Sequence, residues 1–233
     1  MSQDILDRIA SPTGLFARLR YAARDEWAAY TRHDFVRSLG DSTLRPACFR
    51  HYLVQDYLFL IHFARAYALA AYKADTLSDM RTAQAGLAAI LDVEMGLHVE
   101  YCAGWGIAPA ELEAAPEAAA TTAYTRFVLD TGMAGDLLDL HVALAPCMVG
   151  YAEIGLTLAA DPSTRTDGNP YLPWIRMYSG AEFVAAARAE AELLDGLMAR
   201  RAGDGRFDRL VAIFRRATVL ERQFWDMGMD RAG

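Results

Sequence analysis

The chain has 233 residues, 54 % of them hydrophobic, with a formal net charge of -7 and a pI near 5.2. That length allows one large domain with an ample core. The acidic balance without a basic patch excludes nucleic acid as a partner, and no run of 18 apolar residues is free of charge, so no membrane span is expected. The N-terminus lacks a basic segment followed by an apolar one, so no secretion signal is expected. Three cysteines, Cys48, Cys102 and Cys147, without C-x-x-C spacing argue against disulfides and structural zinc and for a reducing cytoplasm.

Taken in order, the chain reads as helices throughout. Alanine is abundant and no alternating β segment stands out. A first helix is expected from about Thr13 to Tyr30, capped by Thr13, with Leu15, Leu19, Ala22, Ala23 and Trp27 on one side. His33–Gly40 reads as a short helix closed by glycine. The next spans about Pro46 to Lys73, with Phe49, Tyr52, Asp56, Phe59, Phe63 and Ala66 on its stripe. A third covers about Leu77 to Gly104, aligning Leu87, Leu91, Glu94, His98 and Tyr101. An acidic, alanine-rich connection leads to a helix from about Pro116 to Thr131 that carries Tyr124 and ends at Gly132.

The helix from about Ala134 to Ala160 is the most apolar. Leu140, Leu144, Cys147, Tyr151, Ile154 and Leu158 recur at spacings of four and three, which is one helical face. Cys147 and Tyr151 are therefore neighbours, one turn apart. Pro146 removes the hydrogen bond to the Val142 carbonyl and tends to kink the helix just before the cysteine. A loop at 161–170 precedes a short helix at Tyr171–Tyr178, and helices follow at about Ala181–Arg200 and Asp204–Met227. With no repeat and no flexible linker, one all-α domain of eight or nine helices spanning residues 1–233 is the expected fold.

Asp56, Cys147 and Glu221 occupy positions that periodicity assigns to the core. A free cysteine on such a face commonly fills space. A buried carboxylate, however, costs several kcal/mol unless paired or protonated, and perturbed groups gather at functional sites. Two acids and a thiol on buried faces point to a site, and Phe59, Tyr124, Tyr151, Tyr171 and Tyr178 suit a planar ligand. A rival constellation is Glu94, His98, His141 and Glu153, as in a carboxylate-bridged metal oxidase. The usual Glu-x-x-His spacing is missing there, since the chain has Glu94-x-x-x-His98. His33, His51 and His62 are haem candidates by residue type only.

Six segments carry a resemblance: His33–Gly40, Phe49–Leu60, Glu94–His98, Pro146–Gly155, Tyr171–Tyr178 and Glu221–Trp225. In order and spacing they resemble the TenA family, the thiaminase II or aminopyrimidine aminohydrolases of haem-oxygenase-like fold, over about residues 13–229. The resemblance implies a homotetramer that needs no metal or organic cofactor. It also implies hydrolysis of 4-amino-5-aminomethyl-2-methylpyrimidine, and of thiamine, to hydroxymethylpyrimidine in thiamine salvage. In the cysteine-bearing branch the nucleophile corresponds to Cys147, the ring-reading acid to Asp56 and the catalytic glutamate to Glu221. The pocket aromatics correspond to Phe59, Tyr124, Tyr151 and Tyr178. Position 59 is often tyrosine in the family, and Val149 stands where tryptophan is common. A non-catalytic pyrimidine-binding module is the remaining alternative.

Overall fold

The computed structural model describes residues 3–230, which are all-α: no β-strand occurs among them. The helices are α1 (Gln3–Ile9), α2 (Leu15–Ala22), α3 (Arg24–Thr31), α4 (Asp34–Gly40), α5 (Pro46–Lys73) and α6 (Leu77–Ala89). A π-helical turn at Ile90–Glu94 leads into α7 (Met95–Gly104), followed by α8 (Pro109–Ala114) and α9 (Ala119–Ala134). The remainder are α10 (Leu137–Ala160), α11 (Leu172–Ser179), α12 (Ala181–Arg200) and α13 (Arg206–Met229). They gather into two compact units, one of Met1–Leu44 with His141–Trp225, the other of Arg45–Leu140 with Asp226–Gly233.

The first unit buries its aromatic residues against one another. Trp27 stacks on Phe214 with centroids 5.4 Å apart, and Phe35 stacks on Trp225 at 4.9 Å. The expected single helix over Thr13–Tyr30 is instead two helices. The chain leaves helical geometry at Ala23, with φ -109° and ψ 27°, although no glycine or proline marks the place. The break lets both Leu19 and Trp27 reach the interior, so packing overrides local propensity. Thr13 does not cap; Gly14 precedes α2, and the Leu15 amide donates to the Asp195 carboxylate. α10 is the one described helix long and apolar enough to cross a membrane, but 78 % of that window is buried, as in a core helix.

The second unit is built around α5, whose 28 residues begin with Pro46 in the first turn, where its missing N–H costs nothing. The expected helix over Leu77–Gly104 is interrupted by the π-helical turn. One extra residue in that turn shifts the facing register. Ile90 is buried and Leu91 is 54 % exposed, so the expected stripe is displaced by one residue there. α9 runs past the expected end at Gly132, which is buried, and finishes before Gly135. Two short helices, α1 and α8, lack any expectation from the sequence.

Candidate active site

Cys147 lies on α10 in the first unit. Of its stripe, Leu140, Leu144, Tyr151, Ile154 and Leu158 are buried, while Cys147 itself is partly exposed. A thiol filling core space would share the burial of its neighbours, so this one is available for chemistry in a way the other two cysteines are not. Cys48 and Cys102 are 1 % and 0 % exposed. Burial, and then the charge of Asp56, push the Cys102 thiol up to about 12.

An aromatic wall stands beside Cys147. Tyr151, one turn on, meets Tyr178 edge-on at 4.9 Å and Trp225 at 5.3 Å, and Trp174 lies 4.5 Å from Tyr178. Gly155 permits this approach of α11, because a Cβ there would come within 2.7 Å of the Ser179 amide nitrogen. Glu221 is 2 % exposed on the face of α13 that buries Leu210, Phe214, Ala217 and Phe224, as the sequence predicts.

A residue the sequence did not single out joins these groups. Tyr30, at the end of α3, is fully buried, and its hydroxyl donates to the Pro146 carbonyl at 3.3 Å. Burial first, then the charges of Glu221, Cys147, Glu153 and Tyr178, push its phenol well above the ordinary range. Those four groups therefore act on one hydroxyl. Its only mark in the sequence is a tyrosine near a helix end, which is why periodicity missed it.

The second unit holds another set. Asp56 is buried; Tyr52, one turn earlier on α5, donates its hydroxyl to Oδ2 at 3.3 Å. His98 places Nδ1 3.7 Å from the same oxygen. Its Nε2 lies 2.9 Å from the Leu53 carbonyl, which can only accept, so Nε2 carries a hydrogen. Burial raises the Asp56 pKa, and His98 and Tyr52 only partly oppose it. Glu94 is raised to about 7 by burial and by the charge of Asp56. Phe59 and Tyr124 are buried with ring centroids 5.1 Å apart. Val149, in the first unit, is fully buried.

The rival metal constellation is not assembled. His141 is bonded through Nδ1 to Glu190 at 2.8 Å. Glu153 is held by Arg20 at 2.9 and 2.8 Å and by the Trp27 indole at 3.1 Å. Glu94 and His98 face Asp56 in the other unit. Among the described residues no group of three or more His, Cys, Asp or Glu side chains is arranged to hold a metal ion. Of the haem candidates, His33 caps α4 by accepting from the Phe35 amide, and His62 pairs with Glu117.

The fold is the all-α haem-oxygenase-like one. A Shewanella denitrificans domain of unknown function with that fold superposes with a TM-score of 0.68 at 16 % identity, over 91 % of this chain and 90 % of the other. The chain belongs to the TENA/THI-4/PQQC family, whose model matches residues 20–231 and so runs through both units. A TenA family transcription regulator from a Silicibacter species is 43 % identical with a TM-score of 0.89, covering 96 % of this chain and 99 % of its own. An aminopyrimidine aminohydrolase from Halalkalibacterium halodurans is 39 % identical over 92 % of this chain and 95 % of its own length.

Proposed function

We propose that the chain is an aminopyrimidine hydrolase of thiamine salvage. It would convert 4-amino-5-aminomethyl-2-methylpyrimidine to the hydroxymethyl compound, and also accept thiamine. The carrying observation is the accessibility of Cys147 within a buried stripe, beside an aromatic wall and in the same electrostatic neighbourhood as the buried Glu221. The kinship with the Halalkalibacterium aminohydrolase supports the same substrate class.

In this reading the Cys147 thiolate adds to a carbon of the pyrimidine ring. The new C–S bond breaks aromaticity, and the ring electrons expel the amine from the exocyclic methylene. Glu221 supplies the proton with which ammonia departs. Water then bonds to the methylene carbon, Glu221 takes back a proton, and loss of the thiolate restores the ring. Two easier steps replace one difficult displacement, and a buried carboxyl suits both proton transfers. Tyr151 and Tyr178 pack against the ring. Asp56, Phe59 and Tyr124 are assigned to the aminopyrimidine as well: Asp56 to its exocyclic amine or a ring nitrogen, the other two to stacking. No metal or organic cofactor takes part. Residues 1–233 serve as one functional domain.

A cytoplasmic homotetramer is part of the proposal. The free thiols fit a reducing compartment. In the second unit the apolar side chains Tyr72, Leu77, Leu91, Val93, Leu97 and Met133 are each more than half exposed, which suits contact with other copies of the chain. The deciding experiment incubates the purified protein with a panel of aminopyrimidines and thiamine and identifies the products. Release of hydroxymethylpyrimidine with ammonia supports the reading; binding without turnover would leave a pyrimidine-binding module.

A further inference from the structure

We propose that Tyr30 is a positioning residue, fixing the nucleophile and the proton-transfer acid relative to one another. The inference rests on Cys147 and Glu221 acting as described above. Pro146 has no N–H, so the turn leading to Cys147 lacks one of its helical hydrogen bonds at the place where placement matters most. Tyr30 supplies an anchor from outside the helix. Its hydroxyl donates to the Pro146 carbonyl, the peptide group that runs directly into Cys147. The contact is close by construction: a Cβ on Gly150 would meet the Tyr30 ring at 2.6 Å and its hydroxyl at 2.8 Å. The same ring also reaches α13. Tyr30 lies parallel to Trp225, with an interplanar angle of 14° and centroids 6.1 Å apart, and Trp225 is one turn beyond Glu221.

One side chain thus touches the turn bearing the thiol and the helix bearing the acid. Its phenol, held neutral by burial and by the surrounding acids, stays a donor throughout the working pH range. Holding reacting groups in a fixed relation carries a large share of catalysis, and a displacement of about 1 Å can cost roughly 10²-fold.

The test compares wild type, Tyr30→Phe, Gly150→Ala and Cys147→Ser. Tyr30→Phe keeps the ring and its stacking and loses only the hydroxyl. It should lower kcat by roughly 10- to 100-fold with KM little changed, and alter the rate at which a thiol reagent labels Cys147 while the melting temperature moves by only a few degrees. Gly150→Ala, which forces the ring away, should reproduce both effects, and the double variant should be no worse than the more impaired single one. Lowered stability with wild-type kcat and wild-type Cys147 labelling in Tyr30→Phe would overturn the proposal. Cys147→Ser judges the underlying reading separately: full activity there would remove the nucleophile, whatever Tyr30 does.

Discussion

The two units treat their buried acids differently. In the first, most are bonded to a basic side chain. Glu153 receives a two-pronged contact from Arg20 and a third bond from Trp27, and Glu190 meets His141. Glu153 is a saturated carboxylate, both its oxygens occupied by the protein, and Glu190 has one oxygen bonded. In the second unit Asp79 and Asp139 are likewise bonded, by the Thr76 hydroxyl and the Asp136 amide, but Asp56 and the half-buried Glu94 share a neighbourhood in which, among the described residues, no lysine or arginine is bonded to either. His98 and Tyr52 are the polar groups that face Asp56, and both acids titrate above their ordinary values. Burial alone therefore does not mark a functional acid. What distinguishes the two kinds is whether cationic partners hold the charge, because a satisfied ion pair fixes geometry whereas an under-neutralised acid retains a proton to exchange.

Cys147→Ser gives the largest effect. The substitution changes size little, so folding should be normal while turnover falls by roughly 10³-fold or more. Cys147 should also react with a thiol reagent faster than the buried Cys48 and Cys102, as read by peptide mapping. Equal labelling of all three would remove the contrast between an accessible thiol and two core ones.

Glu221→Gln asks whether Glu221 belongs with the saturated acids. It keeps size and hydrogen bonding but cannot carry a proton. It should retain product affinity and lose about 10²–10⁴-fold in single-turnover rate. The loss should be greater for an amine leaving group, which needs a proton to depart, than for the thiazole of thiamine, which leaves neutral. A small and equal loss for both substrates would class Glu221 with Glu153.

α5 and α12 match their predicted limits, Pro46–Lys73 and Ala181–Arg200, because Pro46 and Gly180 mark where they begin. Glu221 and Asp56 are buried as their stripes require. The break at Ala23 and the π-helical turn at Ile90–Glu94 were invisible, since both are decided by what the helix packs against. Glu153 misled for a related reason. Its periodic position on an apolar face resembles that of Glu221, but its guanidinium partner is 133 residues away in sequence. Pairing over that distance sets the role of a buried acid, and no local pattern encodes it.

Removing that partner sharpens the same contrast through stability instead of rate. Arg20→Ala strands Glu153 as an uncompensated buried charge and should cost about 3 kcal/mol in a urea titration. Adding Glu153→Gln to Arg20→Ala should recover part of the loss, because the stranded charge is then gone. If the double variant is as unstable as the single one, the lost packing of Arg20 accounts for the effect and the charge does not.

Glu94 should give the smallest effect, and its sign identifies the other kind of acid. Its pKa rises from 4.5 in the unfolded chain to about 7 in the folded one, because burial and the nearby Asp56 charge disfavour its carboxylate. Between those values the folded protein holds a proton that the unfolded chain has released. Stability therefore falls as pH rises through that window and stays at the lower level above it. The slope is at most about 1.4 kcal/mol per pH unit, and less for a side chain partly open to water. Asp56, also raised, adds a slope of the same sign that begins at lower pH, near its unfolded value of 3.8. Glu94→Gln should flatten the upper part of the curve and leave the part due to Asp56 in place, because Glu94 is still protonated and uncharged while Asp56 titrates. Urea titrations of wild type and Glu94→Gln at half-unit intervals from pH 4 to pH 8 measure this directly. A wild-type stability that rises over the window would mean that Glu94 is stabilised as a carboxylate, and the distinction between the two units would fail at that residue.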